Sequence, residues 1–144
     1  MLQQMKKRMK DEKGLTLIEL LAVIVILAII AAIAIPAIGN IIENSRVKAA
    51  KADAVNILNA ANMYFTDEGA GETTAERDDL EKYVDNWGTF KNDDGITVTK
   101  GSPNTLTGTA TLTGDESIEF NNASIEEINA ANVEPGGTIP ASQP

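Results

Sequence analysis

Glu19 has an unusual place for a carboxylate. It follows Gly14 by five positions in Lys13-Gly14-Leu15-Thr16-Leu17-Ile18-Glu19-Leu20, and from Leu20 to Ile38 no polar side chain occurs. A charge placed within hydrocarbon costs about 2.5–3.5 kcal/mol on insertion scales, so this carboxylate needs a partner or a reason to be there. The bland reading is that it snorkels to the interface beside the upstream lysines. Other chemistry-bearing groups are weaker signals. Asp78-Asp79 and Glu126-Glu127 are adjacent carboxylates, but neighbours on a helix point apart, so solvated acidic faces are expected rather than acid–base pairs. Asn92-Asp93-Asp94-Gly95 offers oxygen ligands without the twelve-residue spacing and closing glutamate of a calcium loop, and reads as a solvated turn before a strand. The chain has no cysteine and no histidine, which removes disulfides, thiol nucleophiles, the commonest general base and the commonest zinc ligand. No Gly-rich phosphate loop or nucleophile constellation occurs. Neither an enzyme nor a cofactor or metal site is expected.

The charge distribution shows how Glu19 is positioned. The net charge of the 144 residues is −9, but residues 1–14 carry +3 and the remainder −12. A basic head before an apolar run keeps that head on the cytoplasmic side of a membrane. The acidic remainder repels a phosphate backbone, so direct nucleic-acid binding is not expected. Residues 1–14 read as a leader. Residues 15–38 are apolar all round and, as a helix of about 36 Å, would cross a hydrocarbon core of about 30 Å. Such a helix must be surrounded by lipid or by other helices. Pro36 removes a backbone donor, and Gly39 follows it, so a kink or local unwinding is expected there.

From residue 41 to 66 the pattern becomes amphipathic. Val47, Ala50, Ala54, Ile57, Leu58, Ala61 and Phe65 recur at helical spacing and predict one core-facing stripe, continuous with the membrane helix in a rod of about fifty residues. Gly69 and Gly71 are expected to end it. Residues 67–95 read as a connection, with a short helix from a Thr73 or Thr74 cap to about Val84 and with Tyr83, Trp87 and Phe90 as packing anchors. Residues 96–99, 105–113 and 117–120 alternate, which predicts a three-stranded antiparallel meander packed on the helix. Residues 124–133 are expected to form a last short helix or turn, and residues 135–144 a loose tail. The expected fold is α+β. Its domains would be a leader (1–14), a membrane helix (15–38), an amphipathic continuation (39–66) and a C-terminal head (67–144). The aromatic residues start only at Tyr64, so they suit core packing rather than electron conduction along a helix.

Gly14-Leu15-Thr16-Leu17-Ile18-Glu19, with a basic leader before it and a long apolar helix after it, resembles the cleavage motif of type IV prepilins. The family usually has phenylalanine first after the glycine, and Leu15 stands there in this chain. Proline twenty-two positions after the glycine is a family habit that Pro36 meets. The resemblance covers residues 1 to about 66 and extends to the rest only in layout. The isoleucine-rich helix and leader look like Gram-positive members.

The resemblance implies a type IV pilin fold and a mechanism. A prepilin peptidase would cut between Gly14 and Leu15 and methylate the new amino group of Leu15. The subunit would wait in the membrane as a single-pass protein with its N-terminus cytoplasmic. An assembly ATPase and a membrane platform protein would then move it into a surface filament of its own copies. There Glu19 would pair with the Leu15 ammonium of a neighbour and set the register, and Pro36 and Gly39 would let the rod bend or melt. The function expected is a structural pilin for adhesion, motility or biofilm. The alternatives are a pseudopilin of type II secretion or competence, and a secreted binding domain whose ordinary signal peptide is cut near Ala32-Ile33-Ala34.

Overall fold

The computed structural model describes residues 16–68, 71–91 and 95–140. The chain divides between Asn40 and Ile41 into two compact units. Helix α1 (Leu17–Asp67) is 51 residues long and belongs to both. Its α-helical turns continue without a break through Pro36 and Gly39, so no unwinding occurs there. The first unit contains a stretch of α1 long and apolar enough to cross a membrane, none of which is buried. Leu17, Ile18, Ile33 and Ile35 are among its exposed side chains.

In the second unit the C-terminal part of α1 packs on a sheet. Strands β1 (Thr74–Glu76), β2 (Thr97–Thr99), β3 (Thr105–Thr113), β4 (Glu116–Ala123) and β5 (Thr138–Ile139) lie in sequence order. The first three pairings are antiparallel and β4–β5 is parallel. Short helices α2 (Arg77–Leu80) and α3 (Ile125–Ala130) follow β1 and β4. Alternation along the strands turns Ala75, Val98, Leu106, Ala110, Ile118, Phe120 and Ile139 to one buried face. Against it lie Val47, Ala50, Ala54, Ile57, Leu58, Ala61 and Phe65, the stripe expected from spacing. The alanines let helix and sheet approach closely, while Ile57 and Leu58 supply volume. Phe90 and Phe120 meet with ring centroids 5.4 Å apart, and Tyr83 stands edge-on to Tyr64 at 6.1 Å.

Three expectations about the head need correction. The sheet has five strands, not three. The region expected as a helix from Thr73 or Thr74 begins instead as β1, and the helix is only Arg77–Leu80, capped by Glu76. The Thr-Ala-Glu triplet is too short to show a period by itself, and its strand exists because β2 offers a partner edge. Residues 135–140 are not a loose tail: Ile139 is fully buried and β5 pairs with β4, because an open edge beside Phe120 leaves an apolar slot to fill. Residues 141–144 lie outside the described residues.

β4 carries a bulge. Leu106 faces Ala123 while Gly108 faces Phe120, so β4 has one residue more than β3 between them. Asn122 absorbs it with φ 51°, and its N–H donates to Thr107 Oγ1 at 3.1 Å.

Candidate functional site: the start of the apolar helix

At the first turn of α1, Thr16 is the N-cap. Its carbonyl accepts from the Leu20 N–H at 3.1 Å, the first helical bond. Its hydroxyl accepts from the Glu19 N–H at 3.3 Å. In return, Glu19 Oε2 accepts from the Thr16 N–H at 2.7 Å and from the Thr16 hydroxyl at 2.8 Å. This is a reciprocal capping box: the helix start has orphan N–H donors, and the carboxylate also faces the positive end of the helix dipole. Glu19 therefore has a partner within its own chain. The signal was present in the sequence as Thr16-Leu17-Ile18-Glu19, a threonine followed three positions later by a glutamate before an apolar run.

The remaining predicted site residues separate. Pro36 and Gly39 lie within α1, more than a dozen positions beyond Glu19, and share no contact site with it. Gly14 and Leu15, proposed for cleavage and methylation, lie outside the described residues, as do Asn92, Asp93 and Asp94 of the calcium reading. Among the described residues no group of three or more metal-ligating side chains occurs.

The paired carboxylates have structural work. Asp79 accepts from the Glu76 N–H at 2.9 Å and caps α2. Glu127 caps α3, accepting the Ser124 N–H at 2.9 Å and the Ser124 hydroxyl at 2.8 Å. These bonds, the backbone one foremost, hold the Glu127 carboxyl below its ordinary range. Asp53 on α1 likewise accepts the N–H and hydroxyl of Thr89, at 2.8 and 2.9 Å. A shallow depression of about 550 Å³ lies beside it, with Asn86, Lys91 and Thr111 in its wall. Lys51 donates to the carbonyls of Asn129 and Ala131 at 3.2 and 2.9 Å, joining α1 to the end of α3. Arg77 stacks on Trp87 at 4.2 Å and donates to the Phe90 carbonyl at 2.9 Å.

Residues 9–35 match the prokaryotic N-terminal methylation motif, the type IV prepilin-like leader. The match begins after Lys6, Lys7 and Arg8, spans Gly14, Leu15, the capping box and most of the apolar stretch, and ends one residue before Pro36. No curated protein and no solved structure matches the chain.

Proposed function

From a prepilin-like leader on a helix that packs on a pilin-like α+β head, we propose that this chain is a structural subunit of a type IV pilus-like surface filament. The observation that carries the reading is the methylation motif at residues 9–35, a span that contains Gly14, Leu15 and Glu19. A prepilin peptidase cuts after Gly14 and methylates Leu15. The processed chain is held in the membrane by residues 15–38 until an ATPase and a platform protein transfer it into a stack of its own copies. Removing the leader takes away the charge that anchors the head of the helix in the cytoplasm. The apolar surface of α1 then exchanges lipid for neighbouring helices.

Glu19 sets the stagger. A carboxylate in an apolar filament core is costly alone, and breaking a buried pair costs about 3–5 kcal/mol, so the register that brings Glu19 to a neighbour's Leu15 ammonium is selected over others. Pro36 and Gly39 give α1 a weak point that yields under load.

N-terminal mass spectrometry of the cell-associated protein tests the reading. A chain starting at methylated Leu15 is expected, and one starting after Ala34 defeats it in favour of a secreted domain. Glu19→Ala should insert and be cleaved but fail to assemble, and wild-type filament yield from it would remove the register role. The same leader suits a pseudopilin of a secretion or competence apparatus. Long filaments built chiefly of this chain identify the pilin; loss of secretion or transformation without such filaments identifies the pseudopilin.

A further inference from the structure

Charge beyond the apolar stretch is sharply divided. Residues 41–52 carry Arg46, Lys48 and Lys51 against Glu43, a net +2, whereas residues 53–144 carry −13. The three cations are not equivalent. Lys51 gives its ammonium to the carbonyls of Asn129 and Ala131. Lys48 is exposed and Arg46 half-buried, and neither has a carboxylate partner among the described residues. Just before them Ile41 and Ile42, 67% and 44% exposed, prolong the apolar surface past Asn40. We propose that Arg46 and Lys48 form a basic collar that docks on the phosphate headgroups of anionic lipids while the subunit waits in the membrane. This rests on the reading of residues 15–38 as the membrane-held segment.

Place along the helix decides the partner. With Glu19 at the inner edge, about twenty residues of helix cross a hydrocarbon layer of about 30 Å and end near Gly39. The headgroup layer beyond it is about 5–8 Å thick. Arg46 and Lys48 follow Gly39 by about 10 and 14 Å along α1. Their Cα–Cβ bonds tilt back toward the helix N-terminus, and their long stems carry the charges further that way, to the depth of the phosphates. Two positions apart, they lie about 200° from each other around the helix, so lipid is met on two sides. An anionic surface repels the remaining head, but beyond about 10 Å that repulsion is screened at about 0.1 M salt, whereas each cation at the surface favours contact by about fivefold. A second copy's acidic head offers the same charge. The lipid phosphates, however, adjoin the collar before any copy arrives.

The chain has one tryptophan, Trp87 in the head, which can donate energy to dansyl groups on lipid headgroups. The full chain is placed in vesicles of phosphatidylcholine alone, or of phosphatidylcholine with an equal part of phosphatidylglycerol. We expect it to float with both, and transfer from Trp87 to be higher with phosphatidylglycerol. The difference should vanish at about 1 M salt, where the screening length is about 3 Å. In Arg46→Gln/Lys48→Gln it should change sign, because only the repulsion remains. In the charge-matched Lys82→Gln/Lys91→Gln it should persist. Lys48→Gln alone, at an exposed position that does not threaten folding, should reduce it. Equal or lower transfer with phosphatidylglycerol in the wild-type chain, or a rise that survives in Arg46→Gln/Lys48→Gln and in Lys48→Gln, overturns the proposal and leaves the membrane-held reading intact. Self-association lost in the collar variants, with transfer indifferent to lipid charge, assigns the collar to a second copy and overturns it as well. A chain that floats with neither vesicle overturns the membrane-held reading together with the proposal.

Discussion

Glu19, Asp53, Asp79 and Glu127 each accept a backbone N–H that has no partner in a helix or ladder. An acidic chain thus spends part of its charge on closing turns, where a carboxylate makes a stronger bond than a neutral acceptor. Asp53 makes the greatest demand on its surroundings. Its hold on Thr89 brings the Gly88 backbone, at φ 55°, against its carboxylate, and a Cβ at residue 88 would collide with that group. Gly88→Ala should therefore destabilise the head by about 1–3 kcal/mol in urea unfolding, from left-handed strain together with the displaced carboxylate. Tyr83 makes the head's stability depend on pH at the alkaline end. Burial, then its 3.0 Å hydrogen bond to Asp67 and that carboxylate's charge, push its phenol from 10.0 up to about 12. Because the folded value is the higher, the stabilisation is whole below pH 10.0 and is lost as pH rises through about 12. The urea midpoint of the detergent-solubilised chain should fall across that window, and Tyr83→Phe should flatten the fall.

Among the elements, α1 serves two environments with one backbone. From Leu20 its first part is apolar all round and its second has a narrow, alanine-rich apolar stripe, so the two are distinguished by side chains alone. β5 illustrates how small an element can be and still matter. It has two residues, yet Ile139 is fully buried against the same core as Phe120. Ile139→Ala should cost about 2–5 kcal/mol, as expected for a buried branched side chain rather than for a tail residue, measured by the shift in urea midpoint. Lys51 ties the same region to α1 through the carbonyls that end α3.

For the whole molecule, the division between Asn40 and Ile41 separates a part with no buried side chains among the described residues from the part that holds the core described above. A chain beginning at Ile41 should fold alone, showing cooperative unfolding and dispersed amide resonances. It should remain monomeric by light scattering and form no filaments. Failure to fold would mean that residues 17–40 contribute to the head's stability. Assembly by the chain from Ile41 would mean that the apolar helix is not what makes the filament.

Features that depend on composition over a long window are legible in one dimension: the charge step between leader and remainder, the membrane-length run, and the stripe from Val47 to Phe65. These are one-dimensional patterns, legible because solvent reads a helix residue by residue. The prepilin-like motif is legible for the same reason, and so is the Thr16–Glu19 box, whose spacing is local. Tertiary structure alone decided the rest. Thr74-Ala75-Glu76 becomes a strand because β2 presents an edge, and Thr138-Ile139 becomes one because β4 does. Asp53 finds Thr89, 36 residues away, only after helix and sheet have packed. Elements two or three residues long have no period to read and take their form from the partners that satisfy their backbone groups and bury their side chains.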